Sequence, residues 1–141
     1  MSNPVHGSTI IPGMRYRNAH AAIDWLCKAF GFEKHAVYED DKGRVMHAQL
    51  IYGAGMIMLS DVSQDGFGQH MAQPDEVHGR ETQCAYITAT DCKAHYERAK
   101  AAGAVIIDDY AEKDYGGAGY SCRDPEGHLW SVGSYDPWHT P

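Results

Sequence analysis

One supersecondary pattern, occurring twice, constrains this chain more than any other feature. Asn18 and Asp91 each precede a stretch with apolar residues at helical spacing, and Gly31 and Gly103 follow those stretches. Asn and Asp side chains accept hydrogen bonds from a helix's first turn, and glycine takes the left-handed conformation that ends one. The caps are 73 residues apart (18 to 91) and the stops 72 (31 to 103). One strand is predicted before each helix and three after it. The first copy reads as strand Ile10–Arg17, helix Ala19–Phe30, then strands Lys34–Tyr38, Arg44–Tyr52 and Met56–Ser60. The second reads as strand Glu81–Thr90, a helix from Asp91 to Ala102, then strands Val105–Tyr110, Gly119–Arg123 and His128–Tyr135. Two copies of so long a period do not make a solenoid; they fit a duplicated β-α-β-β-β module. Each helix covers one face of its sheet, and two such modules side by side would enclose a cleft with their other faces. The expected fold is therefore α+β, two tandem βαβββ modules forming an open mixed sheet or half-barrel around a cleft. The expected layout is one domain over residues 8–136: module one at 8–61, a polar connecting loop at 62–80 and module two at 81–136. Residues 137–141 form a C-terminal tail.

Strand alternation predicts which side chains face away from the helices, because residues i and i+2 share a face. Gly13 and Arg15 do so in the first strand; His47 and Gln49 in the third, with Met46, Ala48 and Leu50 toward the helix; and Met56, Met58 and Ser60 in the fourth. Carried by the repeat, His47 maps to Tyr120 and Gln49 to Cys122. The fifth strand offers Ala85 and Ile87, and the last offers Leu129, Ser131 and Gly133 after the turn Asp124-Pro125-Glu126-Gly127. That turn carries Asp, Pro and Gly at the first, second and fourth positions that a type I turn favours. The result is a largely apolar trough with a few polar groups, the composition of a small-molecule pocket. His47 and Gln49 stand out in an otherwise apolar strand: they can hydrogen-bond a ligand, and His47 can act as acid or base. His47 could equally be a sheet histidine satisfied by a neighbour. Arg15 suits an anionic group on the ligand or an acidic neighbour. Met56 and Met58 suit an adaptable pocket wall or plain packing. Tyr120 and Trp130 suit either stacking on a planar ligand or packing under the second helix.

The net charge of −7, with no basic stripe, disfavours nucleic acid as a partner. No apolar run approaches the length a bilayer-spanning helix needs, and MSNPVHGS lacks the features of a secretion signal. Cys27, Cys84, Cys92 and Cys122 are scattered, without a CxxC pair, and read as reduced thiols of a cytoplasmic protein.

Three segments, RYRNAHAAIDWLCKAFGFE (Arg15 to Glu33), VMHAQL with GMIMLSD (Val45 to Asp61) and YSCRDPEGHLWSVGSYDPW (Tyr120 to Trp138), resemble the vicinal oxygen chelate superfamily, also called glyoxalase/bleomycin resistance/dioxygenase. The resemblance spans roughly residues 8 to 136 and is nearest to a bacterial glyoxalase-like subgroup. It implies the duplicated fold and, in the family's enzymes, a divalent metal held by His, Gln and Glu from the first and last strand of each module. The metal there acts as a Lewis acid on two neighbouring substrate oxygens. The matching positions here are Ile11, Met58, Cys84 or Ala85, and Ser131. Isoleucine cannot ligate, methionine suits soft metals, and serine or alanine serve Mg, Mn, Fe or Zn poorly. The expectation is thus a protein with no metal and no cofactor that binds a small, partly hydrophobic or aromatic molecule. That is sequestration of the bleomycin-resistance type, which the resemblance implies is often carried out by a homodimer. The alternative is a lyase- or dioxygenase-type enzyme, with a displaced metal site or metal-free acid/base chemistry at His47. The ligand-binding candidates are Arg15, His47, Gln49, Met56, Met58, Tyr120, Leu129 and Ser131, with His47 as the catalytic candidate.

Overall fold

A computed structural model of the protein describes residues 7–139. The readings made for residues 1–6 and for the last two residues of the tail lie outside them. The described residues form two compact units, 7–27 with 31–71, and 28–30 with 72–139. Each is built on one four-stranded open mixed sheet.

In the first unit the strands are β1 (Gly13–Tyr16), β2 (Glu33–Glu39), β3 (Val45–Tyr52) and β4 (Gly55–Asp61), with α1 (Ala19–Phe30) between β1 and β2. The order is β1-β4-β3-β2: β1 runs parallel to β4, and the other pairs are antiparallel. The chain thus passes from one sheet edge to the other through α1, which lies over one face. Asn18 caps α1 by accepting from Ala21 N at 3.1 Å. Gly31, at φ 85°, ends it by returning its N–H to the carbonyls of Cys27 and Leu26. Asp61 joins helix and sheet, accepting Ala19 N at 2.9 Å and Val45 N at 2.7 Å. Ile23 and Leu26 of α1 and Tyr16, Val45, Ala48, Leu50 and Leu59 of the strands are all essentially buried. Each large aliphatic side chain there stabilises the fold by about 1.5–3 kcal/mol.

One inward residue differs from expectation. Met46 is exposed and Val45 is buried, because β2 and β3 slip register between Tyr38 and Glu39. Such a bulge sets two residues of one strand against one of its partner and reverses the faces beyond it.

The second unit repeats the plan with β5 (Ala85–Thr88), α2 (Cys92–Ala101), β6 (Val105–Glu112), β7 (Ala118–Arg123) and β8 (Leu129–Gly133), in the order β5-β8-β7-β6. Asp91 caps α2 through Ala94 N at 3.0 Å. The buried residues of α2 are Cys92, His95 and Ala99. Asp124 holds the turn between β7 and β8. Its Oδ1 accepts from Glu126 N at 3.1 Å and His128 N at 3.0 Å, and its Oδ2 accepts from Trp130 Nε1 at 3.0 Å. Trp130 is buried and meets Phe30, which belongs to this second unit, edge-on at 5.2 Å.

The polar connection 62–80 holds two short 3₁₀ turns, Gly66–His70 and Pro74–Val77. Its second half is fastened within the second unit: Arg123 Nη1 donates to Gly79 O at 2.8 Å and to Gly127 O at 3.0 Å.

Candidate functional site

The face of the first sheet turned away from α1 carries Arg15 on β1, His47 and Gln49 on β3, and Met56 and Met58 on β4. All five are half-buried. Pairing sets Gln49 beside Met58, Ile51 beside Met56, Gly13 beside Met58 and Arg15 beside Ser60. Ser60 is 8% exposed. Arg15 Nη1 donates to the carbonyl of Asp61 at 3.4 Å. The sequence therefore brings these candidates onto one surface, through an alternation that β3 and β4 keep without a break from Ala48 to Leu59.

The same surface holds two residues that alternation did not single out. Tyr38 pairs with His47 across the strands, and their rings lie 6.1 Å apart at 26°. His35 reaches Gln49 because β2 slips register between Lys34 and Ala36. The polar side chains form a row: His47 Nε2 meets Gln49 Oε1 at 2.9 Å, and Gln49 Nε2 meets His35 Nδ1 at 2.9 Å. An amide oxygen only accepts and an amide N–H only donates, so the row has a direction. His47 donates from Nε2, and His35 accepts at Nδ1 and carries its own proton on Nε2. Beside this row lies a thioether floor, and Met side chains make favourable contacts with aromatic rings.

In the second unit the faces differ from those the repeat suggested. Tyr120 and Cys122 point under α2: both are essentially buried, and the Tyr120 hydroxyl is 2.6 Å from His95 Nδ1. The residues on the other face of β7 are Gly119, Ser121 and Arg123. The cause is the length of one turn. Tyr52 pairs directly with Gly55, whereas Arg123 pairs with Leu129 across five intervening residues. Gln49 therefore corresponds to Ser121, 72 positions on, and Met58 to Ser131, 73 positions on. Since side chains alternate with period 2, a slip of one residue moves the whole strand to the opposite face. Tyr120 is not a pocket residue, and its aromatic ring serves the core.

In β5 the expectation of Ala85 and Ile87 on the open face is also reversed. Ile87 is 8% exposed and pairs with Val132, whereas Tyr86 pairs with Ser131. The Tyr86 hydroxyl donates to Tyr135 O at 2.8 Å and lies over Gly133, where an added Cβ would come within 2.4 Å of that oxygen. Ser131 and Leu129 do lie on this face. Ser131 Oγ is 2.8 Å from Ser121 Oγ, and Leu129 N donates to Glu81 Oε2 at 2.6 Å. Of Cys84 and Ala85 it is Cys84 that shares the face, with its Sγ 3.9 Å from Ser131 Oγ.

Burial shapes the titration of the second unit's core. With the Arg98 guanidinium adding to the effect of burial, the His95 imidazole is pushed down to about 4, against a weaker upward pull from a backbone hydrogen bond at Phe30. Burial, with Asp124 and Cys84 nearby, pushes the Cys122 thiol up to about 12. Cys122 is thus an inert core thiol, since the thiolate is the reactive form. A concavity of about 370 Å³ lies at the start of β7, lined by Tyr110, Glu112, Lys113, Gly117, Ala118 and Ser134. Its one cation, Lys113, is held by Asp108 at 3.0 Å, and it offers no apolar floor.

The family's metal chemistry can be tested against these donors. The positions the resemblance implies carry Ile11, the thioether of Met58, the thiol of Cys84 and the hydroxyl of Ser131, which already shares a hydrogen bond with Ser121. Among the described residues, no three His, Cys, Asp or Glu side chains are grouped to hold a metal ion. A set without carboxylate or imidazole does not fit a hard divalent cation.

Known proteins place the chain. An uncharacterized protein of Mycobacterium bovis is 29% identical over 122 residues, covering 86% of this chain and 80% of that protein. An uncharacterized protein of Mycobacterium tuberculosis matches at the same identity, over 71% of its length. The crystal structure of TioX from Micromonospora sp. ML1 superposes with a TM-score of 0.69 at 29% identity, covering 90% of this chain and 98% of that one. The fosfomycin resistance protein FosX of Listeria monocytogenes, complexed with Mn(II) and sulfate, shares the fold at a TM-score of 0.65 and 11% identity, over 92% of this chain and 91% of its own. The family model for the Glyoxalase/Bleomycin resistance protein/Dioxygenase superfamily matches residues 11–132, and the chain belongs to that superfamily.

Proposed function

We propose that this protein binds a small, partly hydrophobic or aromatic molecule on the open face of its first sheet, without a metal, as a sequestering protein of the bleomycin-resistance type. One observation carries the reading: the row His35–Gln49–His47 stands beside Tyr38 and the thioethers of Met56 and Met58 on one surface. A mostly apolar lining with a few placed polar groups is how small-molecule sites recognise their ligands. Arg15 adds a cation to that surface, and Leu129 and Ser131 give the second unit's open face an apolar and a hydroxyl contact. Tyr120, though named by the sequence, has no part in this reading.

Isothermal titration against a panel of aromatic and glycopeptide-like compounds tests it. Binding by at least one member, weakened about tenfold by Gln49→Ala, is the expected result, since a hydrogen bond is worth about 1 kcal/mol or somewhat more. Silence across the whole panel would remove the proposal. Elemental analysis of protein purified without added metal should find well under one equivalent. A tightly held equivalent of Mn, Ni, Zn or Fe that binding requires would overturn the metal-free part.

A second reading, an enzyme using His47 as acid or base without a metal, is favoured by the hydrogen bond that orients this imidazole. It predicts turnover that His47→Ala abolishes. For assembly and location we infer a homodimer in a reducing cytosol. Trp138 and Ile10 are 93% and 83% exposed, and the cysteines, including exposed Cys84, are unpaired. Among the described residues no helix is long and apolar enough to cross a membrane. A monomeric mass in solution would overturn the dimer.

A further inference from the structure

We propose that the ligand is a hydroxyaromatic compound with an acidic hydroxyl group, and that His47 Nδ1 takes up the hydroxyl proton on binding, so that the ligand is held as its phenolate. This rests on the binding reading above and names the ligand class and the proton's destination.

The direction of the polar row carries the argument. Gln49 Nε2 donates to His35 Nδ1, and Gln49 Oε1 accepts from His47 Nε2, each at 2.9 Å. Among the described residues the two remaining ring nitrogens, His47 Nδ1 and His35 Nε2, have no hydrogen-bond partner. They are chemically unlike. His35 Nε2 bears the proton that its occupied Nδ1 cannot, so it is a donor. His47 Nδ1 is bare when the ring is neutral, so it is an acceptor. The row therefore offers a ligand one acceptor and one donor.

The two imidazoles also differ in what protonation does to them. His47 can gain a proton at Nδ1 while Nε2–H continues to donate to Gln49, so the row stays whole. His35 can gain one only at Nδ1, where it would expel the Gln49 amide and lose a hydrogen bond. Gln49 thus makes His47 the base of the pair and His35 a fixed donor. Across the strands from His47 stands Tyr38, with its ring 6.1 Å away at 26°, and Gln49 pairs with Met58. An aromatic ring seated on the thioethers would turn its hydroxyl edge to the polar row. The transfer breaks the ligand O–H bond and forms a His47 Nδ1–H bond, leaving imidazolium and phenolate in contact. A charged hydrogen bond of this kind is stronger than a neutral one. Arg15, on the same face, adds a second positive charge that favours the anion.

4-Nitrophenol is a suitable probe, because its phenolate absorbs visible light and its phenol does not; 4-nitroanisole has the same ring without the proton. Each is titrated into the full chain at about pH 6.5, where free 4-nitrophenol is mostly protonated and an ordinary imidazole is about half neutral, and the phenolate band is read as the excess over the free probe at the same pH. The expected result is binding of 4-nitrophenol with appearance of the phenolate band. 4-Nitroanisole should bind more weakly, by about tenfold for the lost hydrogen bond. His47→Asn, which can still donate to Gln49 but has no base, should bind 4-nitrophenol without the band. His35→Gln should keep the band. If 4-nitrophenol binds entirely as the phenol, or the band survives in His47→Asn, this inference falls and the binding reading stands. If neither probe binds, this inference falls, and the panel titration above decides the binding reading separately. Long-range ¹H–¹⁵N spectra give a check independent of any ligand: His35 should be the Nε2–H tautomer, and the Nδ1–H form there would overturn the assignment.

Discussion

Acidifying the solution from about pH 7.5 to about pH 4.5 should remove stability through one residue, His95. This imidazole is 7% exposed, stacks on Phe30 at 5.2 Å and meets the Tyr120 hydroxyl at 2.6 Å. Burial and Arg98 push it down to about 4 from an ordinary 6.5. The sign follows from proton counting. Below about 6.5 the unfolded chain's His95 is protonated while the folded protein's stays neutral, so the unfolded state binds more protons and stability falls with pH. Above 6.5 the contribution is fully present, and below about 4 both states are protonated and the decline from this group ends. With one pKa unit worth about 1.4 kcal/mol, the interval removes about 2.5 kcal/mol. That is a large share of the roughly 5–15 kcal/mol that holds a domain together. Carboxylates titrate in the same range, so the measurement is a difference: urea unfolding of the wild type and of His95→Gln at both pH values. The variant is less stable at neutral pH, but that offset cancels in the comparison of the two pH responses. The wild type should lose about 2.5 kcal/mol more than the variant on acidification. Equal losses in the two proteins would refute the view that a neutral imidazole in this core sets the acid limit.

Further outcomes follow from the same contacts. Tyr120→Phe removes the hydroxyl facing His95 and should cost about 1–3 kcal/mol in urea unfolding while leaving 4-nitrophenol binding unchanged, because the residue lies under α2. Asp124→Ala deletes the acceptor of three hydrogen bonds in the β7–β8 turn and should cost about 3 kcal/mol, with Asp124→Asn losing less. Gly133→Ala puts a methyl group where the Tyr86 hydroxyl lies, so it should cost about 1–3 kcal/mol. Adding Tyr86→Phe to Gly133→Ala should recover part of that loss, and an additive double variant would refute the clash.

How much of this was legible in the sequence varies by element. The caps Asn18 and Asp91, the stop at Gly31 and the boundaries of α1 are local: each depends on a side chain or a left-handed φ within one turn, and each was readable as written. The open-face assignments of His47, Gln49, Met56 and Met58 were readable because β3 and β4 are joined by a tight turn and alternate without interruption from Ala48 to Leu59. The superfamily was readable too, from the order of its elements. Tyr38, His35 and Ser121 were not. Their places depend on a bulge in β2 at His35, on a bulge in β3 at Met46, and on the longer turn that joins β7 to β8.

The sequence by itself, then, determined which segments are helices and strands and that they come as a duplicated module, since helical spacing, strand alternation and capping act over a few residues. Only the tertiary structure decided which face each strand of the second module presents, and that His35, Gln49 and His47 form one directed row. A sheet face has period two, and a single-residue slip between distant strands reverses it while leaving the local pattern unchanged.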